Sequence, residues 1–206
     1  MILVDEKGTR QHIAGFHVSA GESPGPQHSD IGNTRFYRYR TEGSKWRWVL
    51  YDLDYGLFNS GFNSPKSFTN PKGMGDQRID NTIFRALLSV PEYKDKYLTI
   101  YGNLFRKLTT DVMMMKLDEL VKLIEPELSL HFEKWGELND KAIIAELPVT
   151  ADGAYRYWET RINRLRNTLR KRPTLLWEMS QDVFNLTNAE MEKYFGPKPE
   201  MPPEAI

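Results

Sequence analysis

The chain has 206 residues, of which 40% are hydrophobic, enough for one domain with a normal core and a tail. Lys plus Arg number 28 and Asp plus Glu number 28, so overall charge supplies no long-range attraction to nucleic acid or to an anionic membrane. There is no cysteine, which excludes disulfides, iron–sulfur clusters and thiolate zinc sites. No apolar run approaches the roughly 20 residues that cross a bilayer, and the apolar stretch at residues 1–4 is too short for a secretory leader.

In chain order, residues 1–30 lack helical periodicity and are punctuated by Gly21, Pro24, Gly25 and Pro26, which predicts an irregular arm. Residues 34–39 and 45–54 are rich in β-prone residues and flank the turn-like Thr41-Glu42-Gly43-Ser44, the pattern of a hairpin. Residues 55–80 are dense in Gly, Asn, Ser and Pro and read as a long loop, a feature often tied to function. From Asn81 onward the periodicity is helical. Ile83, Phe84, Leu87 and Leu88 share one face, and Pro91 starts a second helix with Tyr93, Tyr97, Ile100, Tyr101, Leu104 and Phe105 at core spacing. Thr110 or Asp111 is expected to cap a third helix whose core positions are Met114, Leu117, Leu120, Val121 and Ile124. A short helix follows Pro126, residues 150–172 read as a long basic helix, Pro173 starts another, and residues 188–195 form a last short one. The Pro-rich tail from Pro197 is expected to fray.

Two segments carry the chemistry. The first holds Asp30 and Asn33; the second holds Asp52 and Asp54. A hairpin over residues 34–54 brings the start of its first strand beside the end of its second. Residues two apart on a strand share a face, so Asp52 and Asp54 can point the same way. Three carboxylates and an amide oxygen are hard ligands suited to Mg²⁺ or Mn²⁺ bridging phosphates. The alternative is structural: Asp-Leu-Asp closing a strand and Asp30 capping a turn.

The runs Asp30-Ile-Gly-Asn-Thr-Arg-Phe-Tyr-Arg38 and Lys45-Trp-Arg-Trp-Val-Leu-Tyr-Asp-Leu-Asp54 resemble the signature of the CotH (spore coat protein H) kinase family. The similarity continues in order through Asn81-Thr-Ile-Phe-Arg-Ala-Leu-Leu88, residues 93–105, the stretch from Ile124 to His131 and Trp135, and the Arg-rich helix ending in Arg172-Pro173. The resemblance implies an atypical protein kinase that moves the γ-phosphate of ATP onto protein Ser/Thr hydroxyls with Mg²⁺ or Mn²⁺. It implies that Asp30 is the base or substrate-orienting carboxylate, Asn33 a metal ligand, and Asp52 or Asp54 the metal-binding aspartate. Asp54-Tyr55-Gly56 imitates the Asp-Phe-Gly pattern, whereas Asp52 directly follows the apolar strand, so both stay open. It also implies a spore-coat, cell-envelope or secreted location.

This sequence departs from kinase patterns in three ways. The Asp30-to-Asn33 spacing is shorter than that of the ordinary kinase catalytic loop. Residues 1–27 do not resemble the helix that precedes the catalytic aspartate. No Gly-rich phosphate loop or strand-borne Lys with a Glu partner is recognisable upstream. The expected architecture is therefore mainly α with a small β-hairpin: an atypical kinase-like C-lobe over residues 28–195, an N-lobe missing, an arm at 1–27 and a tail at 196–206. Activity is then expected of the full-length parent.

Arg38 is a candidate partner for a carboxylate or a phosphate, the alternative being a solvated arginine. Trp46 and Trp48 read as packing residues, His131 as a hydrogen-bonded structural histidine, and Met113-Met114-Met115 as core filling. The arginines of residues 156–172 read as a solvated face over the stripe of Tyr157, Trp158, Ile162, Leu165 and Leu169, in preference to a nucleic-acid surface. The competing function is a non-catalytic structural or interaction module of a spore coat or cell surface.

Overall fold

The computed structural model describes residues 3–4, 10–11, 35–45, 47–49, 60–71, 82–140 and 151–203, and helix dominates them. Two short antiparallel pairings precede the helices. Strand β1 (Leu3–Val4) pairs with β2 (Arg10–Gln11). Strand β3 (Arg35–Tyr37) pairs with β4 (Arg47–Val49), Arg35 opposite Val49 and Tyr37 opposite Arg47. This second pairing falls within the hairpin expected from residues 34–54, of which residues 34, 46 and 50–54 lie outside the described residues. Gly43, at φ +72°, supplies the left-handed position in its turn.

Caps and prolines delimit the helices. Helix α1 (Ser64–Thr69) begins with the Asn63 side chain accepting from Lys66 N and with a proline in its first turn. Helix α2 (Thr82–Leu88) is followed by α3 (Pro91–Lys107), started by its proline. Helix α4 (Thr110–Ile124) is capped by Thr109, whose hydroxyl accepts from Val112 N at 3.3 Å. The cap thus falls one residue before the expected Thr110. A 3-10 turn at Glu125–Glu127 leads into α5 (Leu128–Asp140).

Helix α6 runs unbroken from Ala151 to Phe184 with Pro173 inside it, where the sequence predicts a break. Proline removes one backbone hydrogen bond. Leu169 and Arg172 before it and Thr174, Leu176 and Trp177 after it are all buried, so packing holds both halves in one element. The helix ends at Asn185, at φ +50°, with Leu186 N donating to Gln181 O across the terminus. Helix α7 (Asn188–Phe195) opens with a capping box: Thr187 Oγ1 accepts from Glu190 N, and the Glu190 carboxylate accepts from Thr187 N at 2.8 Å.

Helix α6 is the common partner, packing against α1, α4, α5 and α7, while α3 packs on α7. The core sits where α3, the end of α6 and α7 meet, and contains Leu98, Tyr101, Leu176, Trp177, Phe184, Met191 and Phe195. Leu98 belongs to this core, whereas Tyr93, predicted at a core position, is 54% exposed. An aromatic chain joins the helices, with Phe84 to Tyr97 at 5.2 Å, Tyr97 to Phe184 at 5.8 Å and Tyr101 to Phe195 at 5.2 Å between ring centroids. Trp177 Nε1 donates to Gly196 O at 3.1 Å, and Lys198 pairs with Glu178 at 2.6 Å. These contacts tie the start of the tail to α6.

The third helix departs most from expectation. Leu117 is buried and Met114 and Val121 are half-buried, but Leu120 is 58% and Ile124 43% exposed. Helix α4 is therefore amphipathic only over the Leu117 side. Met115, of the Met113–Met115 run, is also exposed. His131 is exposed, its ring edge-on to Phe132.

Close approach of α3 and α7 depends on Gly102. A Cβ built there overlaps the Tyr194 carbonyl, the same oxygen to which Arg106 donates. Gly102→Ala is expected to destabilise the chain by about 3 kcal/mol in denaturant unfolding, since backbone must yield; an unchanged midpoint contradicts this packing. Two carboxylates at this seam also set a pH response. Tyr194 and Lys193 hydrogen bonds hold Asp95 below its ordinary value, and the Thr187 backbone and hydroxyl do the same for Glu190. A depressed folded pKa gives stability that is present above the unfolded value and lost as pH falls through the folded one. Stability is therefore expected to fall below about pH 4. Asp95→Asn with Glu190→Gln should flatten that acid limb in a pH series of thermal melts.

Candidate active site

Strand β3 and strand β4 run antiparallel, with Arg35 opposite Val49. The chain that enters β3 and the chain that leaves β4 therefore depart from the same end of the pairing. Asn33 is two residues before Arg35, and Asp52 is three after Val49. Asp30, Asn33, Asp52 and Asp54 themselves lie outside the described residues, as do Trp46 and the side chain of Trp48. Arg38 is described: it follows β3 directly and is exposed.

The chain from Ser60 to Ser64 is held by a residue that the sequence pattern assigns to a solvated face. Arg172, on α6, is 2% exposed. Its Nη1 donates to Ser60 O at 2.8 Å and to Phe62 O at 2.6 Å, and its Nη2 donates to Ser64 Oγ at 2.6 Å. Ser64 is fully buried at the start of α1. Burial works against the guanidinium charge and pulls its pKa down to about 10, which leaves it protonated at neutral pH. The planar fork of donors explains why arginine stands here, since one side chain satisfies two loop carbonyls and a hydroxyl at once.

A signal for Arg172 exists in the sequence. It lies three residues after Leu169 and four before Leu176, on the apolar stripe, where a charge is buried only if its donors are satisfied. The neighbouring arginines behave differently. Arg166 pairs with Asp118 at 2.8 Å, Arg170 donates to Asn167, and Arg161 stacks on the Tyr157 ring. These contacts cover α6 and tie it to α4.

A concavity of about 290 Å³ lies between α1, α2, α3 and the end of α6, lined by Arg85, Leu88, Lys94 and Phe184 among others. Lys94 Nζ donates to Phe184 O at 2.9 Å, and Arg85 is in the last turn of α2. Cations at helix C-termini offset the terminal carbonyls, so these two charges serve the ends of α6 and α2.

Among the described residues no cluster of three or more His, Asp or Glu could hold a metal, and no helix is long and apolar enough to cross a membrane. The donor chemistry of Asp30, Asn33, Asp52 and Asp54, all oxygen, fits a hard divalent cation. The family model described as CotH kinase protein matches residues 27–176, a span that contains these four residues, Arg38 and Arg172. No curated protein and no solved structure matches the chain. With its family model covering nearly three quarters of its length, the chain belongs to the CotH kinase family.

Proposed function

We propose that the chain forms the helical, metal-binding lobe of an atypical protein kinase that transfers the γ-phosphate of ATP to Ser/Thr hydroxyls of a protein substrate. The observation that carries the reading is the family match across residues 27–176, which includes every oxygen donor of the site. The departure of both donor-bearing segments from one end of the β3–β4 pairing supports it.

In this proposal Asp30 accepts the proton of the substrate hydroxyl. The freed oxygen forms the new bond to the γ-phosphorus, and the bond from that phosphorus to the β,γ-bridging oxygen breaks, releasing ADP. Asn33, with Asp52 or Asp54, holds Mg²⁺ or Mn²⁺, which when bound supplies charge neutralisation at the phosphates. Arg38, exposed beside the pairing, offers a fork of donors to phosphate oxygens. Positioning and electrostatics do most of the catalytic work in such transfers, so the protein contributes chiefly by holding these side chains in register.

The test combines binding and turnover. Mn²⁺–ATP at about one hundred times its dissociation constant is expected to stabilise the native chain by about 2.7 kcal/mol, a rise of roughly 5–10 °C in Tm. Asp52→Asn with Asp54→Asn should abolish that rise. Asp30→Ala should keep it while lowering phosphate transfer by the full-length parent to a Ser/Thr protein acceptor by about a hundredfold or more. No thermal response to Mn²⁺–ATP in either this chain or the full-length parent, or full transfer by the parent carrying Asp30→Ala, contradicts the assignment and leaves a non-catalytic module.

A further inference from the structure

We propose that α4 is a self-association surface, through which two copies of the chain pair antiparallel by the side of the helix opposite the one packed on α6. The inference is independent of the phosphotransfer reading and uses α4 (Thr110–Ile124) and no other element.

Helix α4 is apolar on two opposite sides. At about 100° per residue, Met114, Leu117 and Val121 fall together, half-buried or buried, on the side that meets α6. Val112, Met115, Lys116, Glu119, Leu120 and Leu123 fall on the opposite side, and all six are exposed. Leu123 is 73% and Met115 52% exposed, so these are whole side chains in water and not the rim of the core. A helix that is apolar all round is ordinarily covered all round, and an apolar stripe set among charges marks a contact surface.

The order of residues along the stripe says what covers it. Its middle reads Val112, Lys116, Glu119, Leu123: apolar, basic, acidic, apolar. Two such helices set antiparallel about a two-fold axis between Leu117 and Asp118 bring Val112 level with the partner's Leu123 and Lys116 level with the partner's Glu119. Apolar then meets apolar and each charge meets its opposite. A two-fold contact needs a patch that is complementary to itself, and this one is. A parallel pairing sets Lys116 against its own copy and Glu119 against its own, so like charges oppose it. Lys116 and Glu119 pair within the helix at 2.6 Å yet stay 63% and 56% exposed, and an ammonium has three donors to share. Met115 and Leu120 flank the seam on its two sides. On the Met115 flank, Asp111 comes about 3 Å along the axis from the partner's Lys122, a further cross pair of opposite sign.

One 15-residue helix offers less than the roughly 800 Å² per partner of a stable complex. The dimer is therefore reversible, with a dissociation constant on the order of 10⁻⁵ M.

Sedimentation equilibrium tests this on the native 206-residue chain, from about one-tenth to about ten times that concentration. Leu123→Glu should raise the dissociation constant at least about thirtyfold, because the change occurs twice in a two-fold contact. Lys116→Glu and Glu119→Lys should each weaken the dimer roughly tenfold, and the chain carrying both should return to within about threefold of native. An equimolar mixture of the two single variants should associate more tightly than either by itself, since every central pair across the seam is then of opposite sign. Circular dichroism of each variant checks that its helix content is native. A native chain that stays monomeric throughout, or a dimer as tight with Leu123→Glu as without it, overturns the proposal and leaves this side of α4 to a different partner. Single charge variants as tight as the native chain, or a mixture no tighter than its components, overturn the antiparallel register.

Discussion

A single buried guanidinium ties the chain from Ser60 to Ser64 onto the long helix α6. Arg172 replaces its water with the carbonyls of Ser60 and Phe62 and the hydroxyl of Ser64. Taking a charge out of water costs several kcal/mol unless its donors are met. The position is therefore tolerable only while the loop stays folded against α6. The dependence runs both ways: the loop needs the arginine to fix its carbonyls, and α6 needs the loop to solvate its charge. An interaction of this kind favours one arrangement over neighbouring ones more than it adds net stability.

Helix α6 can play this part because the rest of the fold braces it. Arg166 ties it to α4 through Asp118, Tyr155 donates to Glu125 at 2.7 Å, and Trp177 reaches Gly196 beyond α7. At its far end the seam between α3 and α7 is so close that Gly102 admits no side chain. Aromatic rings of Tyr97, Tyr101, Phe184 and Phe195 fill the space around it. The helical body is thus braced along the length of α6.

Much of the platform is legible from local chemistry. Proline at position 91 marks the start of α3, and the polar–apolar pattern after Thr187 marks α7 with its boundaries. The misreadings have physical causes. Pro173 signals a break, but buried neighbours on both sides keep the helix whole. Leu120 and Ile124 sit at helical core spacing, yet only the Leu117 side of α4 meets α6. Arg172 is hidden among other arginines, and periodicity counts it with them unless the apolar stripe is traced through it. The proposed donors Asp30, Asn33, Asp52 and Asp54 are named by residue type, spacing and family pattern and lie outside the described residues. Whether they converge depends on long-range pairing, which no local signal carries.

One divalent cation is proposed to unite the segment of Asp30 and Asn33 with that of Asp52 and Asp54. Anomalous diffraction at the manganese edge, from crystals grown with Mn²⁺ and a non-hydrolysable ATP analogue, addresses it directly. The account predicts a manganese peak shared by Asn33 and by Asp52 or Asp54. A manganese ion bound elsewhere contradicts it.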